Sequence, residues 1–356
     1  RGSNFIPDQT SADRQHKRVR TPQMPTVAEY ASNALRGVVV AAPGRKLLVA
    51  DLANIEGRVV AWAAGEQWKL DAYRAFDAGV GPDLYKVTYG RTFGIDANFD
   101  HKTIQGYQWR QIGKVMELML GYGGGVAAIV TGSETYHFDL GLMAPLCWPS
   151  IPRDLQLDAE GAWWYAVKEE RTLGLTKEVY CACDGVKRLW RRNNPNIEGY
   201  WEQVEWAATT ALTSSAPVVA GPLEFDRVDA WLRMRLPAGG YLCYPGAHVA
   251  GGKLTFLGVN PYTKQWGRIK TWGGTLVENA TQAIARDVLA QGMLNAEAAG
   301  LPVVLHVHDE AVCEVPDDPR WSVDLLEVFM IDMPEWAQGL PLAAHGFETD
   351  RYHKSD

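Results

Sequence analysis

Two aspartates far apart in the chain stand where short apolar runs should end. Asp309 lies in Pro302–Pro316, where Val303–Val307 and Ala311–Val315 flank a His-Asp-Glu tip. Runs of this length and β-branched content read as paired strands of a buried hairpin. Adjacent carboxylates at such a tip repel each other, and loss of water favours their neutral forms unless a cation or solvent compensates. An exposed polar turn is the plain reading of one such tip; a metal ligand on a rigid edge is the other. Asp51 supplies a second site, because Leu47–Ala50 is apolar and runs straight into it. Two strand-edge aspartates can hold two divalent ions that act on the attacking and leaving oxygens of phosphoryl transfer. The pair points to a Mg²⁺-dependent phosphoryl or nucleotidyl transferase.

The elements that must position these residues follow from periodicity. After Asp51, Ile55, Val59, Val60 and Ala63 recur at helical spacing, with Glu56 and Arg58 among them. That helical pattern runs to Phe76 and breaks near Gly65. Asp83, after Pro82, is an N-terminal signal for a further helix. Arg110, Lys114, Leu118 and Tyr122 recur every four residues and share one helix face, so two cations one turn apart can reach one polyphosphate. The glycines after Tyr122 end that helix, and no phosphate-binding G-K-[ST] follows them. Val38–Val40 and Leu47–Ala50 bracket Pro43-Gly44 and predict a strand–turn–strand. Residues 163–206 read as largely helical, 230–237, 241–244, 253–260 and 265–271 as strands, and 278–293 as a long helix carrying Gln282 and Arg286. The C-terminal third thus alternates strands and helices, as an α+β sheet domain does.

Composition narrows the class. The chain has 356 residues, 47% of them hydrophobic and 22% charged, which suits a soluble globular protein of one large domain or two to three smaller ones. No apolar run approaches a membrane span, and no membrane association is expected. Five scattered cysteines fit reduced thiols of a cytoplasmic protein. A formal net charge of −7 excludes a small protein that coats nucleic acid by global attraction, though not an enzyme whose basic residues line one cleft. Two basic stretches could do so, Arg14–Arg20 and Lys187–Arg192, and the second interleaves Trp190 with its cations. A solvated helix face explains the second equally well.

These residues together resemble three motifs of the family A DNA polymerases, in phage-like style. Asp51–Arg58 (D-L-A-N-I-E-G-R) resembles motif A, usually D-Y-S-x-I-E-L-R. Arg110–Gly123 resembles motif B, R-x3-K-x3-[FY]-x3-Y-G, with Leu118 in the aromatic position. Val307–Glu310 resembles motif C, V-H-D-E, and Gln282 stands where the family has a glutamine on the preceding helix. The resemblance covers about residue 23 to the end.

The fold it implies is α+β: a palm of antiparallel sheet with packed helices, and an inserted, mainly helical fingers domain. Residues 1–27 would be an extended lead-in, 28–65 and 229–356 the palm, and 66–228 the fingers. Only about fifty residues precede Asp51, too few for the family's thumb and exonuclease, so a separate chain or a longer protein would supply them. The resemblance assigns Asp51, Asp309 and the Leu52 carbonyl to two Mg²⁺ ions, with Mn²⁺ as a substitute. Glu310 would be a supporting carboxylate. Arg110 and Lys114 would bind the dNTP triphosphate, Lys114 also donating a proton toward pyrophosphate. Glu56 would close the sugar pocket, and Leu118 and Tyr122 would complete the nucleotide site. Gly123 would lie by the template base, and Gln282 and His308 near the primer terminus, with Arg58 and Arg286 as further DNA contacts. The implied activity is template-directed addition of dNTPs to a primer 3′-OH on primer–template DNA. The alternative is a thumbless remnant or split-polymerase subunit that grips DNA and needs a partner for activity. A phage-encoded protein would act in the bacterial host's cytoplasm.

Overall fold

In a computed structural model, residues 35–353 are described, apart from Tyr262 and Met333. The lead-in and the Arg14–Arg20 stretch lie outside the described residues.

The first strand, β1 (Arg45–Leu52), forms because Leu47–Ala50 is apolar on both faces, and all four residues are fully buried. Nine α-helices follow among the described residues: α1 (Ile55–Ala64), α2 (Gln67–Asp77), α3 (Leu84–Phe93), α4 (Ile104–Leu120), α5 (Val126–Thr135), α6 (Leu140–Cys147), α7 (Arg153–Lys168), α8 (Lys177–Asn193) and α9 (Pro195–Ala211). Gly65 ends α1 in the left-handed conformation (φ 67°), where the break in the periodicity predicts it. Asp83 caps α3 by accepting from the amides of Tyr85 and Lys86.

The chain then turns to antiparallel sheet. Strands β2 (Val218–Ala220), β3 (Leu223–Val228), β4 (Trp231–Arg235) and β5 (Tyr241–Pro245) form one sheet in sequence order. Strands β6 (His248–Ala250), β7 (Lys253–Val259) and β8 (Trp266–Lys270) form another. The long helix α10 (Gly273–Ala298), the hairpin β9 (Val303–Val307) and β10 (Glu310–Pro316), the helix α11 (Val323–Ile331) and β11 (Ala344–Thr349) complete the fold.

The central sheet has the order β11-β1-β10-β9 and is antiparallel throughout. It joins the first strand to the last three across the whole helical segment. Leu48, Ala50 and Leu52 face the main core, and Leu47 and Val49 pack with Val312 and Tyr352 on the other side. Burial on both faces accounts for a near-continuous apolar run in place of strict alternation.

One predicted strand is absent. Val38–Val40 does not fold back on Leu47–Ala50; only Val40 forms a bridge, to Arg351. The amide of Ala41 donates to Asp350 and that of Tyr352 to Val39. The segment therefore finds its partner at the opposite end of the described chain. Among the described residues no helix is long and apolar enough to cross a membrane.

Candidate active site at the ends of β1 and β10

β1 and β10 run antiparallel with Asp51 directly opposite Glu310, and β11 places His345 opposite Asp51 on its other side. Residues directly opposite in a sheet share a face, so the three side chains form one polar row at the strand ends. Beyond the row, the Leu52 amide donates to the Asp309 carbonyl at 3.0 Å and ties the hairpin tip to the end of β1. His308 opens that tip with φ 56°, a left-handed backbone that favours glycine. The turn beside Asp309 therefore carries a backbone cost at His308.

Asp51 titrates above the ordinary aspartate range, chiefly through loss of water and then through repulsion from Asp309; His345 opposes the shift. Glu56, in the first turn of α1, is raised by loss of water, then by Asp309 and Glu278. Glu310 is raised by burial, while the hydrogen bond it accepts from the Tyr352 hydroxyl pulls the other way. Several carboxylates therefore repel one another at one place, and Asp51 and Asp309 fit a divalent cation that would relieve the repulsion. Among the described residues no group of three His, Cys, Asp or Glu forms a closed metal cluster, so the fit rests on this pair.

The open cleft beside the tip has a volume of about 530 Å³. Glu56, Leu118, Gln282, Arg286, His308 and Asp309 all line it. Residues from α1, α4, α10 and the hairpin tip, scattered across the sequence, therefore meet at one surface. Asn54, with φ 49° at the turn into α1, also lines the cleft and was not singled out from sequence.

Helix α4 carries the motif B residues. Arg110 forms an ion pair with Asp83 at 3.1 Å and lies over the Tyr85 ring. Lys114 lies over the Tyr136 ring, 4.3 Å from its centre. Neither lines the cleft itself; Lys114 is one turn, about 6 Å, from Leu118, which does. Tyr122 is half-buried, and loss of water raises its hydroxyl pKa, with Thr281 of α10 opposing the shift. Gly123 (φ 80°) lies against the Trp272 indole, where a Cβ would come within 2.0 Å of the ring. It contacts protein at this point, and Trp272 gave no signal in the sequence motifs.

Two expectations are corrected. Arg58 is not a DNA contact: only 1% of its surface is exposed, and it holds Asp77 through two hydrogen bonds of 2.6 and 2.7 Å. Its Nε donates to the Ala53 carbonyl at 2.7 Å, and its guanidinium lies over Tyr73. Arg58 thus fastens the turn after Asp51 to α2. The cations of the Lys187–Arg192 stretch are taken up by ion pairs and internal contacts, with Arg192 alone of them exposed. Lys187 and Arg188 pair with Asp184, Arg192 pairs with Asp154, and Trp190 is fully buried. Arg191 lies over Trp201 and donates to the Gly123 carbonyl at 3.3 Å, and Trp201 Nε1 donates to that of Gly121 at 3.1 Å. These donors satisfy carbonyls at the C-terminal end of α4.

No family model matches the chain. A DNA polymerase of Bacillus phage SP02 is 33% identical over 330 residues, which cover 91% of this chain and 43% of the relative. The chain therefore spans less than half the length of the curated relative it matches. Among solved structures, the POL domain of Pol1 from M. smegmatis, in complex with DNA primer-template and dNTP, superposes over 92% of this chain and 44% of its own. The TM-score is 0.53 at 17% sequence identity, a likeness of fold. In sequence the chain is similar to part of a phage DNA polymerase, and in fold it is similar to the POL domain of Pol1.

Proposed function

We propose that the chain is the catalytic polymerase region of a template-directed DNA polymerase, adding dNTPs to a primer 3′-OH with release of pyrophosphate. The observation that carries this reading is the meeting of Asp51 and Asp309 at joined strand ends beside a cleft lined by Glu56, Leu118, Gln282 and Arg286. Residues 28–65 and 229–356 are assigned to the palm and 66–228 to the fingers. In support, β1 and β9–β11 share one sheet, whereas α2–α9 form the helical segment between them.

Asp51, Asp309 and the Leu52 carbonyl would hold divalent cations, Mg²⁺ with Mn²⁺ as substitute. Such ions supply charge stabilisation for the attacking and leaving oxygens. The protein's own residues do the positioning. Glu310, fixed by Tyr352, adds negative charge next to Asp51. Arg110 and Lys114, one turn apart on α4, would bind the triphosphate, and Lys114 would donate a proton toward the leaving pyrophosphate. Leu118 and Glu56 would bound the sugar side of the cleft, and Tyr122, one turn beyond Leu118 on the same face, would complete the nucleotide site. Gln282, Arg286 and His308 offer donors to the primer–template from the opposite wall. Gly123, held against Trp272, keeps the end of α4 close to the template base.

Primer extension by the purified chain with Mg²⁺ and four dNTPs tests the reading, with Asp51→Asn and Asp309→Asn as controls. Template-dependent extension that both substitutions abolish is the expected result. DNA binding without extension would favour the other reading, a polymerase subunit that needs a partner or the rest of a longer protein. Extension that survives either substitution would overturn the metal assignment.

A further inference from the structure

A second surface has a charge opposite to that of the chain as a whole. Residues 230–277 contain six Lys and Arg and no Asp or Glu, in a chain with 42 acidic residues and a net charge of −7. Two of the six are neutralised locally, Arg233 by Asp226 and Arg235 by Glu224. The other four are Lys253, Lys264, Arg268 and Lys270, and none forms an ion pair among the described residues. All belong to the β6-β7-β8 sheet or its connecting loop.

The strand register sorts this sheet into two faces. Thr255 lies opposite Lys270, Leu257 opposite Arg268, and Val259 opposite Trp266, while His248 pairs with Thr255 and Ala250 with Lys253. Lys253, Arg268, Lys270, His248 and Trp266 therefore share one face. The other face is apolar: Leu254 is buried, and Phe256 packs edge-on against Tyr244 at 5.1 Å. On this face Lys253, Arg268 and Lys270 are exposed, Thr255 is buried and bonded to Arg268, and Trp266 keeps 64% of its surface open. Arg268 is set in place by the Gly246 carbonyl and Thr255 hydroxyl, each at 3.1 Å, and by His248 Nδ1 at 2.9 Å. Those partners fix its guanidinium without neutralising it.

The sheet is also tied to the cleft. β8 leads through Thr271 and Trp272 into α10, and Trp272 packs on Gly123 at the end of α4 and on Trp201. The cationic face is thus joined to the two helices that carry Leu118 and Gln282.

We propose that this face holds the single-stranded part of the template, with its phosphates on Lys253, Arg268 and Lys270 and a base stacked on Trp266. The inference rests on the polymerase reading and names a template-strand contact for it. Unpaired cations attract any phosphate backbone, and an exposed indole beside them adds a platform on which an unpaired base can stack. A duplex would present phosphates and leave Trp266 unused, so single-stranded DNA fits the face better.

Two variants test the proposal in the full chain, Lys253→Gln/Lys270→Gln and Trp266→Ala. All three side chains are exposed and none contributes to the cleft. Binding of a single-stranded oligonucleotide and of a blunt duplex is measured by fluorescence anisotropy across a salt series. The lysine variant should bind the single strand about fivefold or more weakly, with a log–log salt slope shallower by roughly 1.4 for two lost phosphate contacts. Trp266→Ala should weaken single-strand binding by about fivefold or more with an unchanged slope. Blunt-duplex affinity should stay the same in both. In primer extension, both variants should lose efficiency on a long template overhang while matching the parent on a two-nucleotide overhang. If the parent extends no primer, the reading of an autonomous catalytic region fails, yet the binding series still decides the surface. Equal losses on single strand and duplex would mark a duplex surface and overturn the proposal. Unchanged single-strand binding would overturn it as well.

Discussion

Lys69 and Glu117 form a buried ion pair, with Nζ 2.6 Å from Oε2 and both side chains almost wholly out of water. Glu117 also accepts from the Thr88 hydroxyl at 2.8 Å and from Trp190 Nε1 at 3.1 Å. One carboxylate therefore ties α2, α3 and α8 to α4, one residue before Leu118 enters the cleft. A buried pair gains little over apolar residues of the same shape, because both charges lose their water. Removing one partner alone is different, since it strands the other.

Lys69→Met should therefore destabilise the fold by about 3–5 kcal/mol. The double variant Lys69→Met/Glu117→Leu should recover a substantial part of that loss, because it leaves no buried charge. Urea denaturation of the parent, both singles and the double gives the coupling directly. A cost below about 1 kcal/mol for Lys69→Met would mean that water reaches Glu117.

The sequence made the site legible where the signal is local. A four-residue period put Arg110, Lys114, Leu118 and Tyr122 on one face, and Asp83 announced its own cap. Asp51 and Asp309 were visible because a charge at the end of an apolar run is unusual. Tertiary partners were not visible. Arg58 carries the same charge whether it meets DNA or Asp77, and only burial decides between them. Lys187–Arg192 reads as a cationic patch until Asp154, on another helix, comes alongside Arg192. His345 and Tyr352 reach Asp51 and Glu310 only through the pairing of β11 and the segment after it, which no local pattern specifies. Val38–Val40 had strand-forming residues, but its partner lay at the far end of the chain.

Repulsion at the strand ends gives a pH dependence whose sign can be worked out. Asp51 and Glu56 titrate higher in the folded chain than in the unfolded one. The folded form therefore still binds protons that the unfolded chain, titrating near 4, has released. Their contribution to stability falls as pH rises from about 4 through the raised folded values. Asp309→Asn removes a repulsion felt by both groups. In a chelator at pH 7 the variant should melt about 1–3 °C above the parent, with the difference shrinking toward pH 4. Saturating Mg²⁺ should raise the parent's Tm more than the variant's, because only the parent has both carboxylates to bind it. Identical pH and Mg²⁺ responses would show that Asp51 and Asp309 do not share a site.

Glu56 shares the cleft with Leu118 and occupies the side where a ribose 2′-OH would need room if the triphosphate lies along α4. Shortening it in Glu56→Ala should raise the rNTP/dNTP ratio of kcat/KM, even if dNTP use also falls. Single-turnover incorporation of each nucleotide opposite one template base measures the ratio. No change would place the sugar elsewhere.

Leu118 offers the sharpest test of how a nucleotide would lie in the cleft. It lines the open space one helical turn beyond Lys114, so a sugar joined to phosphates held by Arg110 and Lys114 would come against it. Leucine cannot donate a hydrogen bond there. A dideoxynucleotide lacks its 3′-OH and should leave a polar contact near the phosphates unmade, so the parent chain should discriminate against it. Tyrosine at this position would place a phenolic hydroxyl where the missing group was. Satisfying a polar group otherwise left unpaired is worth about 1–3 kcal/mol, roughly a ten- to hundredfold change in selectivity. Leu118→Tyr should accordingly raise the ddNTP/dNTP ratio of kcat/KM by about tenfold or more. Competing-nucleotide kinetics on one primer–template decide the matter. An active Leu118→Tyr chain with the parent's ratio would mean that the sugar does not lie against this face of α4, and the assignment of Arg110 and Lys114 to the triphosphate would fall with it.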